Sequence, residues 1–166
     1  SFTKLRVIGK RELDHSHSMP LNNEIDPMLY SSTFISTITE TLCQPDAMMI
    51  TEKTFRPMAV GHPFMIIGTA GILSELKKMG YKTFSNWLNE DYDKTNNLKD
   101  KLKIIVENLR MFSAMSLNEL ISVRYQMQDV VLHNKQHLQN RIDTFFKMPD
   151  GHMLAQKQIL NYCLNL

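Results

Sequence analysis

Three consecutive residues, Thr51, Glu52 and Lys53, set a hydroxyl, a carboxylate and an ammonium side by side at the start of an expected helix. Threonine is a good helix N-cap, and the helix dipole favours a carboxylate in the first turn. A lysine at such a turn neutralises a phosphate, and a glutamate accepts hydrogen bonds from two vicinal ribose hydroxyls. The combination suits a nucleoside diphosphate. The alternative is a glutamate that complements the dipole beside a solvated lysine. Ten residues on, Gly61-His62-Pro63 precedes an apolar run, where His62 either contacts a ligand or bonds to the backbone.

The other candidate groups are poorer in chemistry. The "GTAG" of residues 68–71 follows a strand, but it has neither the length and lysine of a P-loop nor the spacing of a Rossmann fingerprint, so a tight strand-to-helix turn is expected. His15 and His17 form an H-x-H, and His133 and His137 lie one helical turn apart. No third metal ligand is evident, and no metal is assigned. The acids of "NEDYD", residues 89–93, read as an N-terminal cap for the helix that follows. Met48, Met58 and Met65 fall on segments expected to be buried.

Several elements would position these residues. "LRVIG" at residues 5–9 reads as a first strand, and residues 10–29 as mostly loop. "TFISTITETL", residues 33–42, is rich in β-branched residues and reads as a strand, with a buried helix as the alternative. A short or kinked helix from Thr51 contains Pro57 and stops at Gly61. "PFMII", residues 63–67, has the length and apolarity of a strand covered on both faces. A helix in "AGILSELKKMG" ends at Gly80, and "YKTF", residues 81–84, is a further short strand. Strands alternating with helices imply a parallel sheet. Beyond residue 94 the period changes to that of long helices. One carries Leu98, Leu102, Ile105, Leu109 and Phe112; a second, capped by Ser116, runs to Phe145; a last follows the turn at Pro149-Asp150-Gly151. Residues 1–93 are thus expected to form an α/β core and residues 94–166 a helical section packed on the same domain.

Composition narrows the class. A chain of 166 residues with 43% hydrophobic and 22% charged content suits one globular core, and a net charge of +2 is too mild to demand nucleic acid or an anionic membrane. No run approaches the ~20 apolar residues of a membrane span, and no signal-peptide core opens the chain. Cys43 and Cys163 offer neither a disulfide framework nor a CxxC pair. A cytoplasmic location is the expectation.

The string "ITEKTFRPMAVGHPFMIIGTAGILSELKKMGYKTFSNWLNEDYD" resembles the nucleotide-sugar half of GT-B glycosyltransferases, particularly the fucosyltransferase-like group. In that group a Thr/Ser-Glu-Lys opens a helix and a small-residue-Gly turn leads to a short apolar strand. It is also similar to a set of phage and bacterial proteins with the pattern Glu-Lys-Thr-aromatic-basic-Pro, Gly-His-Pro-Phe and Gly-aromatic-x-Thr-Phe. The likeness spans residues 31–93. It implies a Rossmann-like α/β domain in which Glu52 binds the ribose of a nucleoside-diphosphate sugar, Lys53 binds the diphosphate and Thr51 supports the turn. Arg56, one turn further on, either reaches a phosphate or packs against an acid. Glu40 lies near the donor by the same comparison, or else is an exposed carboxylate at a strand end, and Gly61 and His62 belong to the cleft wall. The donor is a substrate, and no cofactor is implied. Such enzymes hold the acceptor site in an N-terminal domain for which this chain has no room, so the expectation is a part of a longer sugar-transferring protein with an acceptor still to be identified. The rival expectations are a non-catalytic module that docks a partner through the helices between Leu98 and Lys147, and a ligand-binding remnant that keeps the donor site without an acceptor domain.

Overall fold

The computed structural model describes residues 30–41 and 48–146, with side chains as far as residue 142. The expected strand at residues 5–9, the expected last helix, His15, His17 and both cysteines lie outside the described residues.

Two strands, β1 (Ser36–Thr39) and β2 (Phe64–Ile67), pair in parallel with Ser36 opposite Phe64 and Thr39 opposite Ile67. Helix α1 (Glu52–Val60) connects them, so β1, α1 and β2 form one βαβ unit. The architecture is therefore α/β with a parallel pair, smaller than the sheet expected from sequence. Of residues 33–42, four form strand. β2 is the fully apolar run that sequence assigned to the interior, and Phe64, Met65 and Ile66 are buried. Helix α1 begins on Thr51 and ends at Gly61, whose φ of 76° is the left-handed cap that glycine adopts without a Cβ penalty.

Helix α2 (Ile72–Lys78) turns Ile72, Leu73 and Leu76 inward and ends before Gly80, at φ 94°. The expected strand at residues 81–84 does not form. The Asn134 side chain accepts from the Lys82 N–H at 2.8 Å and donates to the Lys82 carbonyl at 2.9 Å, while Glu90 accepts from the Phe84 N–H at 2.8 Å. Side chains thus supply what a neighbouring strand would have supplied, and buried backbone groups need a partner of some kind.

A 3-10 turn (Glu90–Lys94) precedes α3 (Leu98–Ser113). The acids of residues 89–93 do not cap α3. That role belongs to Asn97, whose side chain accepts from the Lys99 and Asp100 N–H groups. Asp93 folds back on α2 instead, accepting from the Leu73 N–H at 3.1 Å. After α3, Ser116 and Glu119 form a reciprocal capping box that starts α4 (Leu117–Gln126). The single long helix expected from Ser116 to Phe145 is two, with α5 (Gln128–Phe146) beginning after Met127. No glycine or proline marks that break. Met127 is fully buried there, and the chain turns around it. The core gathers β2, the inner faces of α2 and α3, and the α5 residues Val131, Leu138 and Ile142. Helix α5 packs on α1. Met58 and Met65 are buried as expected, but Met48 is 45% exposed.

Candidate functional site

Because β1 and β2 are parallel, both strand-to-helix turns lie at the same end of the sheet, where α/β folds place their ligands. Each turn is closed by a carboxylate of the protein itself. At the first, Glu40 is 3% exposed at the end of β1. It accepts from the Thr51 N–H at 3.0 Å, the Thr51 hydroxyl at 2.5 Å and the Thr54 hydroxyl at 2.6 Å. Of the two sequence readings of Glu40, the exposed strand-end carboxylate is excluded. Thr51 caps the helix in turn, its hydroxyl accepting from the Lys53 N–H at 3.4 Å.

At the second turn, the Gly71 N–H donates to the Asp93 carbonyl at 2.8 Å and the Ala70 N–H to the Asn96 side chain at 2.8 Å. Asp93 is buried; desolvation pushes its carboxyl above the usual range, opposed by the hydrogen bond from the Leu73 N–H and by the Lys101 charge. The "GTAG" segment is therefore the tight turn expected, with the Ala70 and Gly71 N–H groups taken. At Gly68 a Cβ would come within 2.9 Å of the Ile72 side chain, so only glycine fits without repacking.

The cationic groups lie along the side of the unit. Lys53 and Arg56 line one open groove of about 420 Å³ beside β1, together with Tyr30, Thr33 and the exposed β1 hydroxyls. No carboxylate is among the described residues that line it. The Lys53 ammonium donates to the Thr41 hydroxyl at 3.0 Å, so Glu40 and Thr41 between them hold the first turn of α1. Glu52 is half-buried in that turn and is not on the groove wall. Lys53 and Arg56 are thus brought together, Thr51 and Glu40 support them from beneath, and Glu52 is set apart.

Gly61 and His62 sit at the other end of α1. The Gly61 carbonyl accepts from Arg124 at 3.1 Å, and the His62 N–H donates to the Pro57 carbonyl at 2.7 Å. His62 is buried, edge-on to Tyr30 at 5.3 Å, with its Nε2 3.4 Å from the Thr33 hydroxyl. Burial, with a smaller push from Arg124, lowers its pKa to about 4, so the ring is neutral at pH 7. Tyr30 and Thr33 join His62 to the groove wall without His62 lining it. Tyr30, Thr33 and Thr54 escaped the sequence reading; the only signal for Thr54 was its place three residues after an N-cap threonine.

A larger crevice of about 870 Å³ lies between α2 and the 3-10 turn. Four of its charged side chains are already paired, Lys77 with Glu90 at 3.4 Å and Lys94 with Asp91 at 2.6 Å, and both lysines are spoken for, which makes it the poorer anion site. The histidine pair of α5 is also committed, His133 to the Gly80 carbonyl at 2.9 Å and His137 to the Met79 carbonyl at 2.8 Å. Among the described residues no three His, Cys, Asp or Glu side chains could share a metal ion, and no helix is long and apolar enough to cross a membrane.

No protein-family description, no curated protein and no solved structure matches this chain.

Proposed function

We propose that this chain is a Rossmann-like, GT-B type domain that binds a nucleoside-diphosphate sugar and belongs to a longer, cytoplasmic sugar-transferring protein. The observation that carries the reading is the groove beside β1, where Lys53 and Arg56 face one space lined with hydroxyls and with no carboxylate among the described residues that line it. Two cations beside hydroxyl donors suit the paired phosphates of a diphosphate. Its volume falls in the range of small-molecule sites, about 300–1,000 Å³. The α1 N-terminus is occupied by Thr51 and Glu40, so the diphosphate is held by the two side chains rather than by helix N–H groups. In transfer, these cations would stabilise the charge that develops on the leaving diphosphate. The acceptor and its binding domain lie elsewhere in that longer protein.

Calorimetric titration with the common nucleoside diphosphates and their sugars tests this. Wild-type protein should bind at least one of them, and Lys53→Ala and Arg56→Ala should each weaken it. Glu52→Ala distinguishes a ribose contact, which costs affinity, from a carboxylate that only complements the helix dipole. A folded wild-type protein that binds none of the panel removes the reading.

A second reading, the partner-docking module, draws on α4. None of its ten residues is buried, and Leu117, Ile121 and Tyr125 are 56%, 59% and 80% exposed at four-residue spacing. Light scattering decides whether this face joins copies of the chain: a concentration-dependent mass increase abolished by Ile121→Glu favours it.

A further inference from the structure

We infer that Glu40 is a positioning residue of the proposed donor site, setting the Lys53 ammonium through Thr51 and Thr54 without touching the ligand; this rests on the donor reading above. The Glu40 carboxylate is buried, and both of its oxygens accept hydrogen bonds, Oε1 from the Thr51 N–H and the Thr54 hydroxyl, Oε2 from the Thr51 hydroxyl. A nucleotide hydroxyl could reach it only by displacing those donors. Its effect on the groove runs along the backbone instead. Thr51 and Thr54 flank Lys53 on either side, so fixing both fixes the turn from which the lysine side chain leaves. The residue after Glu40, Thr41, accepts from the Lys53 ammonium through its hydroxyl at 3.0 Å. Strand end and helix start therefore form one bracket, in which Glu40 holds the backbone and Thr41 holds the charge. A lysine side chain is rich in rotamers, so a site that limits its wandering binds more tightly than one that must order it.

The bracket also explains why a carboxylate is tolerated near a diphosphate. Glu40 lies behind the Thr51–Thr54 turn and does not line the groove, whereas Lys53 and Arg56 do. Its charge is stabilised locally by three hydrogen-bond donors rather than projected at the ligand.

The test uses whichever of uridine, guanosine, adenosine or cytidine diphosphate binds wild-type protein most tightly, read by calorimetry. Thr54→Val removes one hydroxyl from the bracket while preserving side-chain shape, and should weaken binding about fivefold to tenfold, the equivalent of one hydrogen bond. Thr54→Ser keeps the hydroxyl and should restore wild-type affinity. Glu40→Gln cannot accept at both oxygens and should weaken binding at least as much as Thr54→Val. Asn134→Ala, which destabilises the fold but does not line the groove, should leave affinity unchanged, separating positioning from loss of stability. Wild-type affinity in both Thr54→Val and Glu40→Gln overturns the inference while the donor reading survives. A wild-type protein that binds no nucleoside diphosphate overturns both. If Glu40→Gln does not fold, the Thr54 pair still decides.

Discussion

Asn134→Ala is expected to destabilise the fold by about 2–3 kcal/mol, although it removes only a neutral side chain from the middle of a helix. Asn134 is 1% exposed and meets both backbone groups of Lys82, at 2.8 Å and 2.9 Å. Each hydrogen bond contributes about 1 kcal/mol net, and an unsatisfied buried group costs about 1–3 kcal/mol. The Lys82 side chain is exposed, so water partly replaces the lost amide, which keeps the sum near the lower end. Alanine is the better helix former and returns a few tenths of a kcal/mol. For a chain of this length, about 2–4 °C of Tm follows each kcal/mol, giving a fall of about 4–12 °C. Urea unfolding followed by circular dichroism, with thermal melts alongside, reads both quantities. A midpoint shift worth less than about 0.5 kcal/mol would refute the claim that an amide stands in for a strand at residues 81–84.

Further outcomes follow from the same structure. Gly80→Ala places a Cβ at φ 94° and within 2.7 Å of the His137 ring, so backbone strain and the displaced His137 hydrogen bond should together cost about 2–3 kcal/mol by urea midpoint. The pKa of His62 falls from 6.5 to about 4 on folding, so the unfolded chain takes up the extra proton as pH drops; this contribution is complete above pH 6.5 and is lost progressively toward pH 4. At pH 5 that is at most about 2 kcal/mol, and about half after solvent screening, and His62→Phe should flatten this part of the pH–stability curve. Nucleoside diphosphate binding should weaken with added salt, since exposed charges at the groove are screened beyond about 3 Å at 1 M against about 10 Å at 0.1 M. Binding that is indifferent to salt would argue against the two-cation groove.

What the sequence made legible was local. Thr51 as a cap, Gly61 as a stop, the apolar β2 and Ser116 as a cap each depend on residues within a few positions of one another, and each appears where expected. What it concealed depends on residues distant along the chain. Asn134 reaches Lys82 across 52 positions, and Asp93 reaches Leu73 across 20. Periodicity carries no trace of such contacts, which is why residues 81–84 read as a strand and the acids before α3 as its cap. The candidate site divides the same way. Lys53 and Arg56 share a face because three residues make nearly one helical turn, a spacing visible in sequence. Glu40 reaches Thr51 across 11 positions and Thr54 across 14, and its role as their acceptor rather than as an exposed end required the fold.

In the proposed complex a diphosphate lies in the groove between β1 and α1. Amide chemical-shift mapping of isotope-labelled protein during titration with the best-binding nucleoside diphosphate tests it most directly. Shifts should concentrate at residues 33–41 and 53–57 and disappear in the Lys53→Ala variant. Shifts clustered instead at the crevice between α2 and the 3-10 turn, or no shifts at saturating nucleotide, would contradict it.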